Sequence, residues 1–270
     1  MPSRLRVMTY NIRYDNPSDQ KFVWRRRRNG VTSNIRFHDP DVVGLQEALH
    51  DQLEDLRDRL PGYEWLSAGR REKEAAGEYA AIGYAKERFN LEADGTFWLA
   101  EDPSEPGTVG WDAKLPRLVR YARIREYETG IQFYHFNTHF DHYGEEARVQ
   151  SAELLRDRID ELTGERPTIV TGDFNTCESD PPYHVLTGAN GHRSLLDAHH
   201  AANYPHHGPR TTMTDFHSLV PDRKIDYVFV TEDVEVVVHG ACADTDDEGL
   251  YPSDHLPVVV DIVLPRRSAE

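Results

Sequence analysis

The stretch PTIVTGDFN, residues 167–175, carries a pattern that recurs along the chain. Thr168, Ile169, Val170 and Thr171 form a β-branched run short enough for a buried strand. Gly172 then permits a tight exit that projects Asp173 and Asn175 from the sheet edge. An acceptor-only carboxylate beside an amide can hold an attacking water and a phosphoryl oxygen together. Taken alone, GDFN also describes an ordinary strand-to-loop turn.

The same arrangement appears upstream. LRVMTYNIRY, residues 5–14, alternates as a strand with one buried face would and delivers Asn11 near its end. DVVGLQEA, residues 41–48, is a short apolar run with Glu47 at its exit. There a charge is costly unless it is paired or bound to a cation. The competing reading makes Glu47 a solvated acid favoured by a helix N-terminus. IQFYHFNTHF, residues 131–140, ends a strand on Asn137, Thr138 and His139.

Two further motifs lie downstream. In KIDYVFVT, residues 224–231, Asp226 interrupts an apolar strand pattern, so it calls for a specific partner. SDH, residues 253–255, precedes the last strand, LPVVVDIVL, and sets the metal-type acid Asp254 beside His255, an imidazole able to exchange protons near neutral pH. His255 is the obvious partner for Asp226, which would fix its tautomer and orientation. His139, Asp141 and His142 resemble part of the HxHxDH signature of metallo-β-lactamase-type hydrolases, but position 137 is Asn where that signature needs His. The oxygen-rich remainder favours a hard cation, Mg²⁺ or Mn²⁺, over zinc.

Between these motifs, helical spacing predicts packing helices over 51–60, where Leu53, Leu56 and Leu60 share a face, and over 145–162, with sparser helical spacing over 31–37. Strands are expected at 80–85, 95–99 and 118–126, and the His-, Pro- and Gly-rich stretch between Asp197 and Asp222 as irregular surface. Many strands with a few helices imply an α/β protein of two packed sheets flanked by helices, with the site along one rim.

The 270 residues contain 38% hydrophobic and 29% charged side chains, enough apolar material for a core, and residues 1–270 are expected to form one compact domain. A net charge of −16 repels polyanions and argues against tight duplex-DNA binding. The scarcity of lysine relative to arginine fits either a salt-adapted, halophilic proteome or high-GC coding. Arg25 to Arg28 could contact a phosphate-rich ligand, but four adjacent cations cannot share one helix face, so a solvated face is expected. Cys177 and Cys242 give no disulfide framework or metal knuckle, which suits a reducing cytoplasm. No signal core or membrane-length apolar stretch is evident, so a soluble cytoplasmic protein without a membrane span is expected, and no protein partner is implied.

Taken in order, TYNIR, GLQE, NTH, GDFN, KIDY and SDH resemble the endonuclease/exonuclease/phosphatase (DNase I-like) superfamily from residue 9 to residue 255. That superfamily includes nucleases, abasic-site endonucleases, deadenylases and inositol phosphatases. The resemblance implies a four-layer α/β sandwich of mainly antiparallel sheets. It implies Asn11, Glu47 and Asp254 near Mg²⁺ or Mn²⁺, and His255, oriented by Asp226, as general base or acid. Asp173 and Asn175 would position the water and the phosphate, and His139 would steady the phosphoryl charge. The implied chemistry is in-line hydrolysis of a phosphoester.

GEYAAIGY, GTFWL, GWDAKLPR and HFDHYGEEAR resemble an uncharacterised prokaryotic branch of that superfamily. They suggest that Glu78, Trp111, Arg117, His142 and Arg148 line a substrate pocket. Trp111 could equally be a packing residue, and Arg148 a solvated helix cation. Arg13 stands where the abasic-site enzymes carry an acid, which argues against a DNA-repair role. The expected substrate is a small phosphorylated metabolite, lipid headgroup or nucleotide. The alternatives are a nuclease acting on DNA or RNA and a non-catalytic binding module.

Overall fold

The computed structural model describes residues 3–70, 77–188 and 191–265. Its strands are β1 (Ser3–Asn11), β2 (Val42–Ala48), β3 (Tyr63–Leu66), β4 (Tyr79–Ala85), β5 (Phe89–Trp98), β6 (Leu118–Glu126), β7 (Gln132–His139), β8 (Thr168–Asp173), β9 (Leu195–Asp197), β10 (Asp226–Thr231), β11 (Glu235–Ala241) and β12 (Val258–Leu264). The helices are α1 (Trp24–His38), α2 (His50–Arg59), α3 (Glu145–Thr163), α4 (Pro181–Thr187) and α5 (Ala198–Ala201).

The strands form two six-stranded sheets, ordered β11-β12-β1-β2-β4-β3 and β5-β6-β7-β8-β10-β9. Each sheet is antiparallel except for one central parallel pair, β1/β2 in the first and β7/β8 in the second. A parallel pair needs a crossover, and a helix supplies it in each case, α1 in the first sheet and α3 in the second. Both parallel pairs therefore end near each other, and the exits of β1, β2, β7 and β8 carry Asn11, Glu47, His139 and Asp173.

Strand alternation builds the layers. Leu5, Val7, Ile169, Val228 and Val230 point between the sheets. Met8, Tyr10, Val43 and Leu45 pack with Val31 and Ile35 of α1 and Leu53 and Leu56 of α2. Val170, Tyr227 and Phe229 pack with Ala152, Leu155 and Ile159 of α3. The result is helix, sheet, sheet, helix.

One part of the inter-sheet layer is polar. Asn137 of β7 crosses the gap and donates its Nδ2 to the carbonyls of Leu45 at 2.8 Å and Ala81 at 2.9 Å. Its Oδ1 accepts from Gln46 Nε2 at 2.7 Å and Thr171 Oγ1 at 3.0 Å. The crossing requires Gly44, because a Cβ there would lie 2.4 Å from Asn137 Oδ1 and 2.1 Å from Thr171 Oγ1. Leu45 borders a bulge in the β2/β4 pairing that extends to Ala48. Glu47 lies inside it with φ of 64°, a left-handed conformation uncommon for a non-glycine residue.

The helix expected over 31–37 is longer, spanning Trp24–His38, and the strand expected at 95–99 begins at Phe89. Arg27 corrects the expectation of a solvated arginine face. It is only 4% exposed, and its guanidinium donates to the carbonyls of Ile12 and Pro252 at 2.8 Å and of Arg13 at 2.9 Å. It pins the chain that leaves β1 to the SDH loop. Among the described residues no helix is long and apolar enough to cross a membrane.

Candidate active site

Asp173 closes β8 directly opposite Asp226, the first residue of β10. Its Oδ1 accepts from the backbone N–H of Asn175 at 2.9 Å. Its Oδ2 accepts from Asn11 Nδ2 at 3.0 Å and lies 3.4 Å from His139 Nε2 and 3.8 Å from His255 Nε2. Asn175 adopts φ of 47° and donates its Nδ2 to the Phe140 carbonyl at 3.0 Å, which locks the GDFN turn onto the end of β7. Asn11, fully buried, also donates to Glu47 Oε1 at 3.2 Å, so a single amide joins the exits of three strands.

His255 is held from two sides. Its Nδ1 lies 2.8 Å from Asp226 Oδ2, leaving Nε2 turned toward Asp173. The backbone around it is clamped by the 211–214 segment: Thr214 N–H donates to the Asp254 carbonyl and Leu256 N–H to the Thr212 carbonyl, both at 2.7 Å. Ser253 Oγ donates to the Asn11 carbonyl at 2.7 Å and ties the loop to β1.

Glu47 and Asp254 face one another across Arg13, whose guanidinium is 3.9 Å from Glu47 and 3.7 Å from Asp254 and hydrogen-bonds Asp19 at 3.0 Å. Beyond His139, Arg70, Glu78, Tyr79 and Arg117 line a small recess. Glu78 pairs with Arg70 at 2.5 Å and lies 4.0 Å from His139 Nδ1.

Electrostatics follow from this crowding. Burial and the neighbouring Asp226 push the Asp173 carboxyl up to about 7. Burial and Glu47 raise the Asp254 carboxyl. Burial opposes charging of His255, but Asp226 and Asp173 outweigh it and hold the imidazole well above its ordinary range. His139 moves the other way, lowered well below that range by burial and then by Arg117 and Arg70.

The Endonuclease/Exonuclease/phosphatase family model matches residues 8–255. The chain belongs to this family. An endonuclease/exonuclease/phosphatase from Bacteroides vulgatus superposes with a TM-score of 0.93 at 41% identity, covering 97% of this chain and 100% of that one. A mannosyl-6-phosphatase from Bacteroides thetaiotaomicron superposes with a TM-score of 0.89 at 34% identity, covering 96% of this chain and 100% of that one. An uncharacterised protein of Acanthamoeba polyphaga mimivirus is 23% identical over 282 residues, which cover 88% of this chain and 40% of that protein. The chain spans less than two thirds of the length of the curated relatives it matches.

The family's ordered motifs thus meet on one rim, and the structure brings Asn11, Glu47, His139, Asp173, Asn175, Asp226, Asp254 and His255 together there. Of the branch-derived pocket residues, Glu78 and Arg117 line the recess beside His139, and the exposed His142 contacts Arg117 through Nδ1 at 3.0 Å. Arg148 donates to the Asp141 carbonyl at 3.0 Å and buttresses that loop. Trp111 is not among the residues lining the recess, and its backbone N–H is directed at Glu101. From the same motif Asp112 caps α3 by accepting from Ala147 N–H at 2.7 Å. The zinc-hydrolase alternative finds no support in the geometry. Asp141 is occupied by the backbone N–H groups of Lys114, Tyr143 and Gly144, and His139 groups with Glu47 and Glu78 instead.

Arg13 and Arg70 escaped the sequence reading as members of the site. Arg13 follows Asn11 by two residues within TYNIR, and that adjacency was a usable signal. Arg70 lies four residues past the end of β3 with no motif around it.

Proposed function

We propose that the protein is a divalent-metal-dependent phosphoesterase that hydrolyses phosphate monoesters of small molecules, with sugar phosphates as the leading substrate class. The observation that carries this reading is the convergence of four strand exits, the start of β10 and the SDH loop on one rim. That rim is rich in carboxylate and carries two imidazoles aimed at a common space. The 34% identity to a mannosyl-6-phosphatase over nearly the full length of both chains supports the substrate class. The net charge of −16 and the acidic rim weigh against a polyanionic nucleic acid.

The residues fit a hard cation. Asn11, Glu47 and the half-buried Asp254 offer oxygen donors, and desolvation with Glu47 close by raises the Asp254 carboxyl even though Arg13 lies 3.7 Å away, a crowding of carboxylates that a cation would relieve. We assign these three to Mg²⁺ or Mn²⁺, which when bound offsets charge on the phosphoryl oxygens.

The remaining steps belong to side chains. Asp173, its Oδ1 held by the Asn175 N–H, orients the attacking water and receives its proton at Oδ2. Asp226 fixes His255 through Nδ1, so Nε2 is the working atom and handles the proton at the phosphoryl or leaving oxygen. His139 Nε2, on the opposite flank of Asp173, hydrogen-bonds the phosphoryl group. Arg117 and Glu78 line the side on which the rest of the substrate sits.

The test is a substrate panel of hexose 6-phosphates, other phosphomonoesters, phosphodiesters, and single- and double-stranded nucleic acids, each assayed with Mg²⁺, Mn²⁺ or a chelator. Metal-dependent release of phosphate from sugar monoesters is expected. Turnover that survives the chelator, or that is confined to diesters or nucleic acids, overturns the reading.

A further inference from the structure

Away from the rim, at the side where edge strand β11 of one sheet approaches β9 and α5 at the edge of the other, three histidines meet. His239 comes from β11, His199 from α5 and His206 from the irregular segment that follows. Their ring centroids are 4.6 Å apart for His199 and His206 and 5.0 Å for the other two pairs. One ring nitrogen from each lies within 4.8 Å of one from each of the others. We propose that His199, His206 and His239 form a binding site for a borderline transition-metal cation of the Zn²⁺, Co²⁺ or Ni²⁺ class, separate from the rim.

Hydrogen bonding orients the lone pairs. His206 Nε2 lies 2.9 Å from the Pro209 carbonyl, so in the neutral ring Nε2 carries the proton and Nδ1 presents a lone pair. An imidazole whose outer nitrogen is tied to a carbonyl is how metal-ligating histidines are usually held. That Nδ1 lies 2.9 Å from His239 Nδ1, which must then be the donor and leaves the lone pair of His239 on Nε2. His239 is 2% exposed, yet its Nε2 has no hydrogen-bond partner, and neither does the buried Nδ1 of His199. Imidazole nitrogens left unpartnered in the interior are costly, and a cation among the three rings would satisfy them.

The surroundings disfavour charging of His239 and His199. Burial, Lys224 and the neighbouring histidines push His239 down to about 2 and His199 to about 4. Lys224 is itself neutralised by Glu178 and Asp197, each at 2.7 Å, and His200 is 3.0 Å from Glu178. An all-nitrogen set selects against Mg²⁺, so the two sites would take different ions. On cation entry the His206 to His239 hydrogen bond is replaced by coordination, and the shared proton passes to the other nitrogen of His239 or remains on it while Nε2 ligates. His206 lies in the segment whose residues 211–214 clamp Asp226 and His255, and its neighbour His207 already pairs with the backbone of His239 and Ala241 at 3.0 Å, so occupancy would reinforce that attachment to β11.

The proposal stands without the catalytic reading, and its test is metal binding. Chelator-treated protein is titrated with Co²⁺ in excess Mg²⁺ and followed by visible absorption and calorimetry, for wild type and for His199→Gln, His206→Gln and His239→Gln. Folding of each variant is checked by circular dichroism, and the half-buried His199 and His206 positions keep the test sound if the buried variant misfolds. We expect one equivalent of Co²⁺ with a nitrogen-ligand spectrum. Each folded variant should lose at least about 100-fold in affinity, the upper end of what losing a metal-orienting partner costs. Zn²⁺ should raise the Tm of wild type and leave that of His206→Gln unmoved. No saturable binding, unchanged affinity in the folded variants, or a thiolate charge-transfer band marking the His38, Cys242 and Asp244 group instead overturns the assignment.

Discussion

Replacing Asn137 with alanine removes the side chain that joins the two sheets beneath the rim, and the structure permits an estimate of the cost. Four hydrogen bonds disappear: two donated to the Leu45 and Ala81 carbonyls and two accepted from Gln46 and Thr171. Gln46 keeps Thr9 Oγ1 at 3.1 Å and the Gly44 carbonyl at 3.3 Å, and Thr171 keeps His135 and the Phe136 carbonyl. The carbonyls bear most of the loss. At roughly 1 kcal/mol net for each buried hydrogen bond, the variant should be about 4 kcal/mol less stable. That is a large share of the ~5–15 kcal/mol that typically holds a protein folded. Urea unfolding followed by circular dichroism and tryptophan fluorescence measures it. Because Leu45 borders the bulge that carries Glu47, the metal concentration for half-maximal activity should rise in the same variant. A destabilisation below about 1 kcal/mol would refute the accounting, and an unchanged metal requirement would show that Asn137 does not hold the bulge.

Other expectations follow from single contacts. Burial holds His135 neutral, down to about 3, while the unfolded ring protonates near 6.5, so the unfolded state binds more protons as pH falls and stability drops. From pH 6.5 to 5 this costs about 2 kcal/mol, and His135→Leu should show that much less acid destabilisation in urea midpoints; equal slopes would contradict it. Arg27→Met takes this donor from the Phe22, Ile12 and Pro252 carbonyls, while the Arg13 carbonyl keeps Gln52 Nε2 at 3.0 Å, so a loss of about 3 kcal/mol is expected in thermal or urea unfolding, and a neutral result would return Arg27 to the solvated face. Glu47→Gln should shift the Mg²⁺ titration of activity to higher concentration with little change in substrate KM; an unmoved titration removes Glu47 from the metal. His255→Ala should abolish most turnover in a folded protein, and near wild-type rates would end its role in proton handling.

Much of the fold and of the candidate site was legible because both depend on local pattern. The alternating run before Asn11, the β-branched run before Asp173 and the aromatic run before His139 were short, and each became a strand in the expected place. The strands β3, β9 and β11 and helix α4 gave no usable signal. β3 and β9 are only 4 and 3 residues long, and β11 is a mixed edge strand whose pairing with β12 shifts register between Val236 and Val238. Arg27 misled because three of its neighbours in the run are exposed or half-buried, and only tertiary packing brings its guanidinium onto the carbonyls of Ile12 and Pro252.

Which residue types stand at the strand ends, and in what order, was legible along the chain, and that was enough for the family and for naming the eight residues found on the rim. Those features are local: a run of side chains with a period of two, then a glycine or polar residue where the strand stops. The tertiary structure alone decided that Asn137 ties β7 to β2 and β4, that Arg13 sits between Glu47 and Asp254, and that His199, His206 and His239 share one space. Each depends on groups brought together by sheet register and the packing of one sheet on the other. No spacing along the chain encodes such a meeting, because the contact energies that fix it belong to the assembled layers.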